Sequence, residues 1–176
     1  IVPRMFDGTP LKIKSLYLGW YWHRDRYSRF ADDDGRVPVQ PFPQPLAALA
    51  QRAYAQTFGP GAARFTPDSA IVNWYGPGAT LGMHQDRGET DAVVAGGSPV
   101  ISISLGDSAL FRFGNTDTRA KPYRDVTLAS GDLFVFRGAS RMAYHGVPSV
   151  FAGSGPAALG PLPGRLSITI RETGFS

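Results

Sequence analysis

A histidine and an aspartate separated by one residue are the first candidates for chemistry in this chain. His84 and Asp86 flank Gln85. In an extended segment, side chains at positions i and i+2 leave the same face, so the imidazole and the carboxylate would converge on one point. Two such groups suit adjacent ligands of a divalent metal ion. A His-x-Asp pair is common by chance, however, so the prediction of a metal site depends on a third ligand.

His145 is predicted to supply that third ligand. The chain has three histidines, His23, His84 and His145, and His145 lies 59 residues after Asp86 between two strand-like segments. Two histidines and one carboxylate form the facial triad of non-heme Fe(II) oxygenases, which leaves other coordination positions open for substrate and O₂. The sequence therefore predicts one Fe(II) site at His84, Asp86 and His145.

A strictly alternating segment near the C-terminus carries two arginines on one face. In residues 165–171 the apolar side chains take one face, and the opposite face carries Arg165, Ser167, Thr169 and Arg171. Guanidinium groups bind carboxylates through two parallel hydrogen bonds. Beside the metal ligands, the two arginines predict a buried dianion. The alternative is a half-buried edge strand whose arginines are solvated.

Short strands between Gly/Pro turns make up most of the chain from residue 70 onward. Eight are predicted, at residues 70–75, 80–85, 99–105, 109–113, 124–128, 133–137, 142–147 and 165–171. This mainly β pattern favours a two-sheet jelly roll. Residues 11–22 predict one or two further strands, and the Gly/Ala/Pro-rich residues 152–164 predict a surface loop.

One helix is predicted before these strands. Pro45 would open it at the first helical position, and Gly59-Pro60-Gly61 would end it. Its buried stripe would comprise Leu46, Leu49, Ala53 and Tyr54. We expect this helix to brace one sheet. The Pro-rich residues 24–45 before it predict a loop over a site.

Length and composition bound the class of protein. The 176 residues suit a single domain, assigned to residues 1–176, and the absence of cysteine excludes disulfides and thiolate metal sites. No apolar run of about 18 residues predicts a transmembrane helix. No signal peptide opens the chain, although its first residue, Ile1, is compatible with a trimmed sequence. A cytoplasmic monomer without membrane partners is expected.

The net charge of +4 is concentrated at the N-terminus. Residues 1–30 hold six basic and two acidic residues, whereas residues 31–176 hold twelve of each. The basic residues, among them Arg24, Arg26 and Arg29, interleave with aromatic ones. Aromatic rings and cations together are typical of nucleic-acid binding through stacking and phosphate neutralisation. The alternative is a solvated basic arm with no partner.

In combination these segments resemble the AlkB family of Fe(II)/2-oxoglutarate dioxygenases. The matching pieces keep their order and spacing from about residue 16 to residue 174. They are Leu18-Gly19-Trp20, residues 73–78 (NWYGPG), His84-Gln85-Asp86, residues 99–106 (PVISISLG), Gly131-Asp132, residues 140–146 (SRMAYHG) and residues 165–171 (RLSITIR). The resemblance implies the family's jelly roll, called the double-stranded β-helix, with Fe(II), the cosubstrate 2-oxoglutarate and O₂.

The resemblance also implies roles for the residues around the metal. The catalytic set would be the ligands His84, Asp86 and His145 together with Arg171. Arg165 would take the distal carboxylate of 2-oxoglutarate, and Arg171 would lie toward the carboxylate near the metal. The cosubstrate would further be contacted by Asn73, Tyr75 and Ser167.

A substrate role is implied for residues 1–45 as a nucleotide-recognition segment. Trp20 and the ring of His84 would sandwich a methylated base, with an ordinary core tryptophan as the alternative for Trp20. The DNA backbone would be met by Tyr27, Ser28 and Arg29. Two positions depart from the family pattern. Gly88 stands where family members commonly have an acid that recognises the exocyclic amine of the base. Either Glu89 takes over that contact, or stacking by Trp20 and the charge of Asp86 bind the base without it. Ser167 stands where the family has Asn.

The implied reaction is oxidative demethylation of 1-methyladenine and 3-methylcytosine in single-stranded or duplex DNA, with formaldehyde, succinate and CO₂ as products. The alternative enzyme is a 2-oxoglutarate-dependent hydroxylase or demethylase that acts on RNA, protein or a small molecule. A protein or small-molecule substrate would leave the basic, aromatic N-terminus unexplained. A non-enzymatic cupin-like binding module would explain His84 and His145 but not Arg165 and Arg171 together.

Overall fold

The computed structural model describes residues 1–3, 10–23, 26–32, 35–59, 61–62, 64–160 and 163–175. Arg24 of the predicted basic segment and Pro60 of the predicted helix end lie outside these ranges.

The larger of two main sheets has five antiparallel strands, labelled along the chain. In spatial order they are β1 (Ile13–Leu18), β4 (Ser69–Tyr75), β11 (Arg165–Arg171), β6 (Val100–Gly106) and β9 (Leu133–Phe136). Strand β11 is hydrogen-bonded to β4 on one side and β6 on the other. It is therefore a central strand, and the edge-strand alternative for its two arginines is wrong.

The smaller sheet has four antiparallel strands and faces the larger one. Its spatial order is β5 (Leu81–His84), β10 (His145–Val150), β7 (Ala109–Phe113) and β8 (Arg124–Leu128). A separate hairpin pairs β2 (Tyr21–Trp22) with β3 (Tyr27–Ser28). The eight strands from Ser69 onward match the eight predicted ones, and the jelly-roll prediction is confirmed.

A 15-residue helix, α1 (Gln44–Phe58), braces the outer face of the larger sheet as expected. Its buried residues are Ala47, Ala50, Ala53 and Tyr54, whereas Leu46 and Leu49 are only partly buried. The buried stripe therefore contains Ala47 and Ala50, each one position after the predicted Leu46 and Leu49, together with Ala53 and Tyr54 as predicted. Alanines in the contact let the helix backbone approach the sheet closely, and the helix packs against Ala70, Ile101, Ile103 and Ile170.

The space between the two sheets holds an apolar core and, next to it, a cavity. The core contains Ile13, Tyr75, Ala79, Ala109, Phe111, Leu128 and Val147. The cavity has a volume of about 460 Å³. On β11, Ile168 and Ile170 pack toward α1, whereas Ser167, Thr169 and Arg171 line the cavity. The predicted alternation of this strand thus separates the helix-facing core from the site.

Several elements differ from the sequence prediction, and one of them is β3, which lies within the predicted loop of residues 24–45. The strand predicted at 142–147 runs from His145 to Val150. It begins later than predicted because Gly138–Ser140 form a short 3₁₀ helix, and a turn follows in which the Ala143 N–H donates to the Ser140 carbonyl. A short helix, α2 (Asp91–Ala95), was not predicted, since none of its residues is buried and no apolar stripe marks it. No helix in the ranges that the structure describes is long and apolar enough to cross a membrane.

Candidate metal and cosubstrate site

The three predicted metal ligands lie together at one end of the cavity. His84 is the last residue of β5, and His145 is the first residue of β10 and its direct partner across the two strands. Asp86 follows two residues after His84 in the chain. One ligand atom from each of the three side chains lies within 4.8 Å of the others. The structure therefore brings together the His84, Asp86 and His145 that the sequence singled out.

Both imidazole rings are oriented with Nε2 toward Asp86. The Nδ1 atom of His84 is 2.9 Å from the Gly82 carbonyl, and that of His145 is 3.0 Å from the Ala143 carbonyl. A carbonyl accepts, so each Nδ1 carries the proton and each Nε2 presents a lone pair. The His84 and His145 Nε2 atoms are 3.7 and 3.8 Å from the two Asp86 carboxylate oxygens. Burial lowers the pKa of His145 to about 4, which keeps this ligand neutral at pH 7.

The close approach of β5 and β10 depends on Gly146. A Cβ atom at this position would stand 2.7 Å from the Leu81 carbonyl oxygen and 3.0 Å from the Gly82 backbone. Backbone atoms cannot move aside as a flexible side chain can. The absence of a side chain at Gly146 therefore lets the two strands meet closely enough for His84 and His145 to share a ligand point.

Electrostatics keep the Asp86 carboxylate ionised. Burial alone raises the pKa of Asp86, but Arg171 opposes it most strongly, followed by His145, His84 and Arg141, and the net pKa lies well below the usual range. The Oδ2 atom of Asp86 is buried and has no hydrogen-bond partner among the described residues. A buried anionic oxygen without a donor, facing two imidazole lone pairs, fits a divalent cation.

A buried carboxylate with two guanidinium groups lies directly behind the metal ligands. Glu89 Oε1 forms an ion pair with Arg141 Nη2 at 2.9 Å and accepts a hydrogen bond from Arg171 Nη1 at 3.0 Å. The Glu89 side chain has no exposed surface. Arg141 Nη1 also donates to the Asp86 carbonyl at 3.0 Å, and Arg171 Nη1 is 3.9 Å from the Asp86 carboxylate. We name these three residues, Glu89, Arg141 and Arg171, the ion cluster.

The floor of the cavity carries the predicted cosubstrate residues. Asn73, Tyr75, Ser167 and Arg171 all line it. The Ser15 hydroxyl donates to the Asn73 side chain at 2.5 Å, and the Ser167 hydroxyl lies 3.1 Å from that of Ser102. Burial raises the pKa of Tyr75 to about 12, so its phenol stays protonated and can donate a hydrogen bond. The floor is thus a polar surface in an otherwise apolar sandwich.

Arg165 lies at the far end of β11, fully buried behind Tyr75. Its guanidinium carbon is 5.3 Å from the Tyr75 ring, and Nη2 donates to the Ser104 hydroxyl at 2.9 Å. Its Nε and Nη1 atoms are buried and have no acceptor within the described part of the chain. Burial lowers the pKa of Arg165 despite the phenol beside it. A carboxylate at Nη1 would supply an acceptor to this buried donor and offset the burial of the charge.

Of the residues predicted to contact the substrate, His84 lines the cavity, whereas Trp20, Tyr27, Ser28, Arg29 and Glu89 do not. Trp20 is 7% exposed, its N–H donates to Asp68 at 3.1 Å, and its ring is covered by the Arg29 guanidinium at 3.6 Å. Tyr27 is also buried. Ser28 accepts a hydrogen bond from the Phe30 N–H, so its hydroxyl supports the hairpin. Glu89 points into the ion cluster, not into the cavity, because two guanidinium groups compensate its charge there.

Several residues of the cavity mouth were not identified from the sequence. Tyr17, Trp22, Arg87, Arg119 and Tyr144 line the cavity near the metal ligands. Gln85 anchors this mouth, since its amide donates to the Thr116 carbonyl at 3.0 Å and to the Met142 carbonyl at 2.5 Å. Gly88 was the one sequence signal for this region, because a glycine replaced an expected acid there.

Comparison with known proteins gives matches over most of the chain. The model of the 2OG-Fe(II) oxygenase superfamily matches residues 1–171. Alpha-ketoglutarate-dependent dioxygenase AlkB of Escherichia coli (strain K12) is 36% identical over 90% of this chain and 68% of AlkB. DNA N(6)-methyladenine demethylase ALKBH1C of Arabidopsis thaliana is 35% identical over 97% of this chain, which spans 41% of the length of ALKBH1C. The solved structure of OsALKBH1 superposes with a TM-score of 0.81 and 30% identity, covering 92% of this chain and 79% of that one.

The chain belongs to the 2OG-Fe(II) oxygenase superfamily and, within it, to the AlkB family. The predicted family is therefore confirmed, as is the class of Fe(II)/2-oxoglutarate-dependent dioxygenase. Membership also confirms the predicted cofactors, Fe(II), 2-oxoglutarate and O₂, for which the unpaired atoms of Asp86 and Arg165 provide a structural fit. The cupin-like binding module is thereby set aside.

The first prediction concerns the metal ligand His145. Replacing His145 by Ala should abolish tight binding of Fe(II) or Mn(II), because one of three ligands is lost, while the β-sheet circular dichroism stays unchanged. Isothermal titration with Mn(II) measures the binding. His23→Ala, which removes an imidazole outside the ligand set, should bind one metal ion with wild-type affinity. Wild-type metal affinity in His145→Ala would exclude His145 as a ligand.

The second prediction concerns the ion cluster. Glu89→Gln keeps the side-chain volume but leaves two buried guanidinium groups without their carboxylate, so the free energy of unfolding should fall by about 3 kcal/mol. Urea denaturation measures this loss. Asp125→Asn is the matched control, because Asp125 also accepts two hydrogen bonds from one arginine, Arg112, but at the exposed surface. Equal effects of the two substitutions would mean that the cluster contributes no more than a surface pair.

Proposed function

We propose that this chain removes N-methyl groups from the bases of nucleic acids, with DNA that carries 1-methyladenine or 3-methylcytosine as its substrate. The observation that carries the proposal is the combination of the His84–Asp86–His145 set with the unpaired Arg165 guanidinium in one interior. The metal ligands alone would suit many reactions. A carboxylate bound at Arg165 in addition would favour oxidation coupled to a dicarboxylate cosubstrate.

The protein groups divide the task between holding and orienting. His84, Asp86 and His145 would hold Fe(II), and Arg165 would hold the distal carboxylate of 2-oxoglutarate. Arg171, 3.9 Å from the Asp86 carboxylate, would orient the other end of the cosubstrate near the metal. When bound, Fe(II) with 2-oxoglutarate and O₂ supplies the oxidation that converts the N-methyl group into a hydroxymethyl group. That group leaves as formaldehyde, with succinate and CO₂ as the co-products.

A further set of hydrogen-bonding groups would fix the cosubstrate along the cavity floor. Asn73 and Ser167 pair across β4 and β11 between the two arginines, and Tyr75 pairs with Arg165. Ser167 is shorter than the family's Asn, and its hydroxyl lies 3.1 Å from that of Ser102. The Ser167–Ser102 pair would present a hydroxyl in place of the amide, so cosubstrate binding should survive this departure.

A nucleic-acid substrate is supported by the charge around the cavity mouth. Arg87 and Arg119 line the cavity, and the exposed Arg26 and Arg29 flank β3, which pairs with the cavity-lining Trp22 of β2. Cations in this arrangement neutralise backbone phosphates. Methylation blocks the pairing edge of a base, so the damaged base is already unpaired and easily enters a cavity. Of the residues predicted from the sequence, Ser28 and Arg29 remain candidates for backbone contacts.

The experiment that tests this function follows formaldehyde and succinate with methylated oligonucleotides. Single-stranded DNA that carries 3-methylcytosine should yield one formaldehyde and one succinate per base restored. The same sequence in RNA and as an unmethylated strand are the comparison substrates. Succinate release without demethylation of either DNA or RNA would favour the alternative hydroxylase acting on protein or a small molecule.

The third prediction concerns the cosubstrate contact of Arg165. Arg165→Ala should raise the KM for 2-oxoglutarate tenfold or more, because charge-assisted hydrogen bonds contribute on the order of 1.5–3 kcal/mol each. Initial rates at varied 2-oxoglutarate measure it. Arg112→Ala, which removes an arginine from the outer end of β7–β8, should leave this KM unchanged. A KM within twofold of wild type for Arg165→Ala would place the carboxylate elsewhere.

A further inference from the structure

We propose that Trp22, seated on Gly88, is the residue against which the substrate base stacks, and that this stacking gives the chain its preference for planar cationic bases. The inference rests on the proposed function, since it concerns the same cavity. It assigns the base contact to a residue other than Trp20, and it gives Gly88 a structural purpose.

The Trp22 indole can pack directly on the backbone of Gly88 because this residue has no side chain. Its φ angle is +113°, in the region that favours glycine. A Cβ atom here would stand 1.9 Å from Cζ3 and 2.4 Å from Cη2 of the Trp22 indole. The ring therefore occupies the space that any side chain at position 88 would need. Both the backbone conformation and the packing require glycine at this position.

This packing on Gly88 places the Trp22 indole beside the metal ligands. Gly88 follows Asp86 by two residues, and Trp22 lines the same cavity as His84, Asp86 and His145. Trp22 is half-buried, so one part of its ring packs on the loop and another part faces the cavity. A base in this cavity would therefore have the indole within its reach.

Trp20 cannot take this role in the observed arrangement. The Arg29 guanidinium lies 3.6 Å from its ring centre, and the Phe175 ring lies 5.6 Å away. Its N–H is bound to Asp68. Trp20 thus has partners on its faces and at its polar edge, which is the condition of a core tryptophan.

Trp22 is held in place by a second aromatic ring. The Tyr27 ring is 5.0 Å from that of Trp22, across the β2–β3 pair that joins these two residues. Tyr27 in turn lies 5.8 Å from the Arg171 guanidinium. The indole is therefore connected through Tyr27 to the ion cluster, and Tyr27 acts as a positioning residue.

The chemistry at this mouth favours an aromatic contact over a carboxylate for a cationic base. Glycine at position 88 offers no charge, and the Glu89 carboxylate is bound by Arg141 and Arg171. Asp86 belongs to the metal site. An indole face attracts a cation electrostatically and stacks on any planar base. A methylated base with a positive charge should therefore gain from both effects at Trp22, whereas a neutral base gains from stacking alone.

The test compares binding of a single-stranded oligonucleotide that carries 3-methylcytosine to metal-free wild type and variants, measured by fluorescence anisotropy. Trp22→Ala should weaken binding about tenfold, since removing one stacking aromatic has an effect of that size. Trp22→Phe should retain affinity within about threefold of wild type, because a ring remains. Trp74→Ala is the matched control, because Trp74 lies outside the cavity with its N–H on the Pro163 carbonyl, and it should bind like wild type.

The role of Gly88 is tested by a double-mutant cycle. Gly88→Ala should weaken binding as Trp22→Ala does, because the methyl group displaces the indole, and the two changes together should be no worse than Trp22→Ala. If Gly88→Ala fails to fold by circular dichroism, the Trp22→Ala and Trp22→Phe comparison decides alone. The same anisotropy assay with the neutral 3-methylthymine strand should give a smaller loss for Trp22→Ala than the 3-methylcytosine strand.

The outcomes separate this inference from the proposed function. Wild-type affinity of Trp22→Ala for the methylated strand, together with demethylation by wild type, would overturn the role of Trp22 and leave the function standing. A wild type that releases succinate but neither binds nor demethylates the strand would overturn both. Equal losses for the two lesions in Trp22→Ala would overturn the preference for cationic bases.

Discussion

The site depends on the compensation of buried charge between Glu89, Arg141 and Arg171. A single carboxylate oxygen of Glu89 receives both guanidinium groups, at 2.9 and 3.0 Å. Isolated ions of this kind are very unfavourable in a protein interior, and they persist only when paired and hydrogen-bonded. Because Arg141 also binds the Asp86 carbonyl and Arg171 faces its carboxylate, the same compensation fixes the position of a metal ligand. The second layer of the site is therefore electrostatic, and it lies behind the metal ligands.

The sheets then convert this local arrangement into an extended site. Strand β11 is central, so its backbone is held by partners on both sides and its side chains alternate between α1 and the cavity. Arg171 stands at the metal end and Arg165 at the far end, with the polar residues Ser167 and Thr169 between them. In the proposed function, this one strand supplies the contacts for both ends of an elongated dicarboxylate.

The features that follow from periodicity and residue type could be predicted from the sequence, and those that depend on tertiary packing could not. The alternation of residues 165–171 could be predicted because its spacing alone shows it. The metal ligands could be predicted because His84 and Asp86 recur with His145 and the two arginines in one order along the chain. The burial of Glu89 was not, since a carboxylate next to a metal motif is equally compatible with a substrate contact until Arg141 and Arg171 are seen around it. Nor could Trp20 be distinguished from Trp22, because the bend at Gly19 and Trp20 interrupts the alternation that would have related them.

The two halves of the cavity also differ in how strongly the fold constrains them. The half proposed to hold the cosubstrate lies on the central strands β4 and β11, where a substitution affects hydrogen-bonded neighbours on both sides and leaves buried polar groups unpaired. The half proposed to meet the substrate lies on the two-residue strands β2 and β3 and on the loop after Asp86, where few backbone pairs hold the chain. Changes in this half can reshape the mouth while the metal ligands stay in register. Gly88 is the exception, because its positive φ angle and the indole above it both exclude a side chain. Burial therefore constrains the residues proposed to bind the metal and the cosubstrate, whereas the residues proposed to select the substrate are those that the fold constrains least.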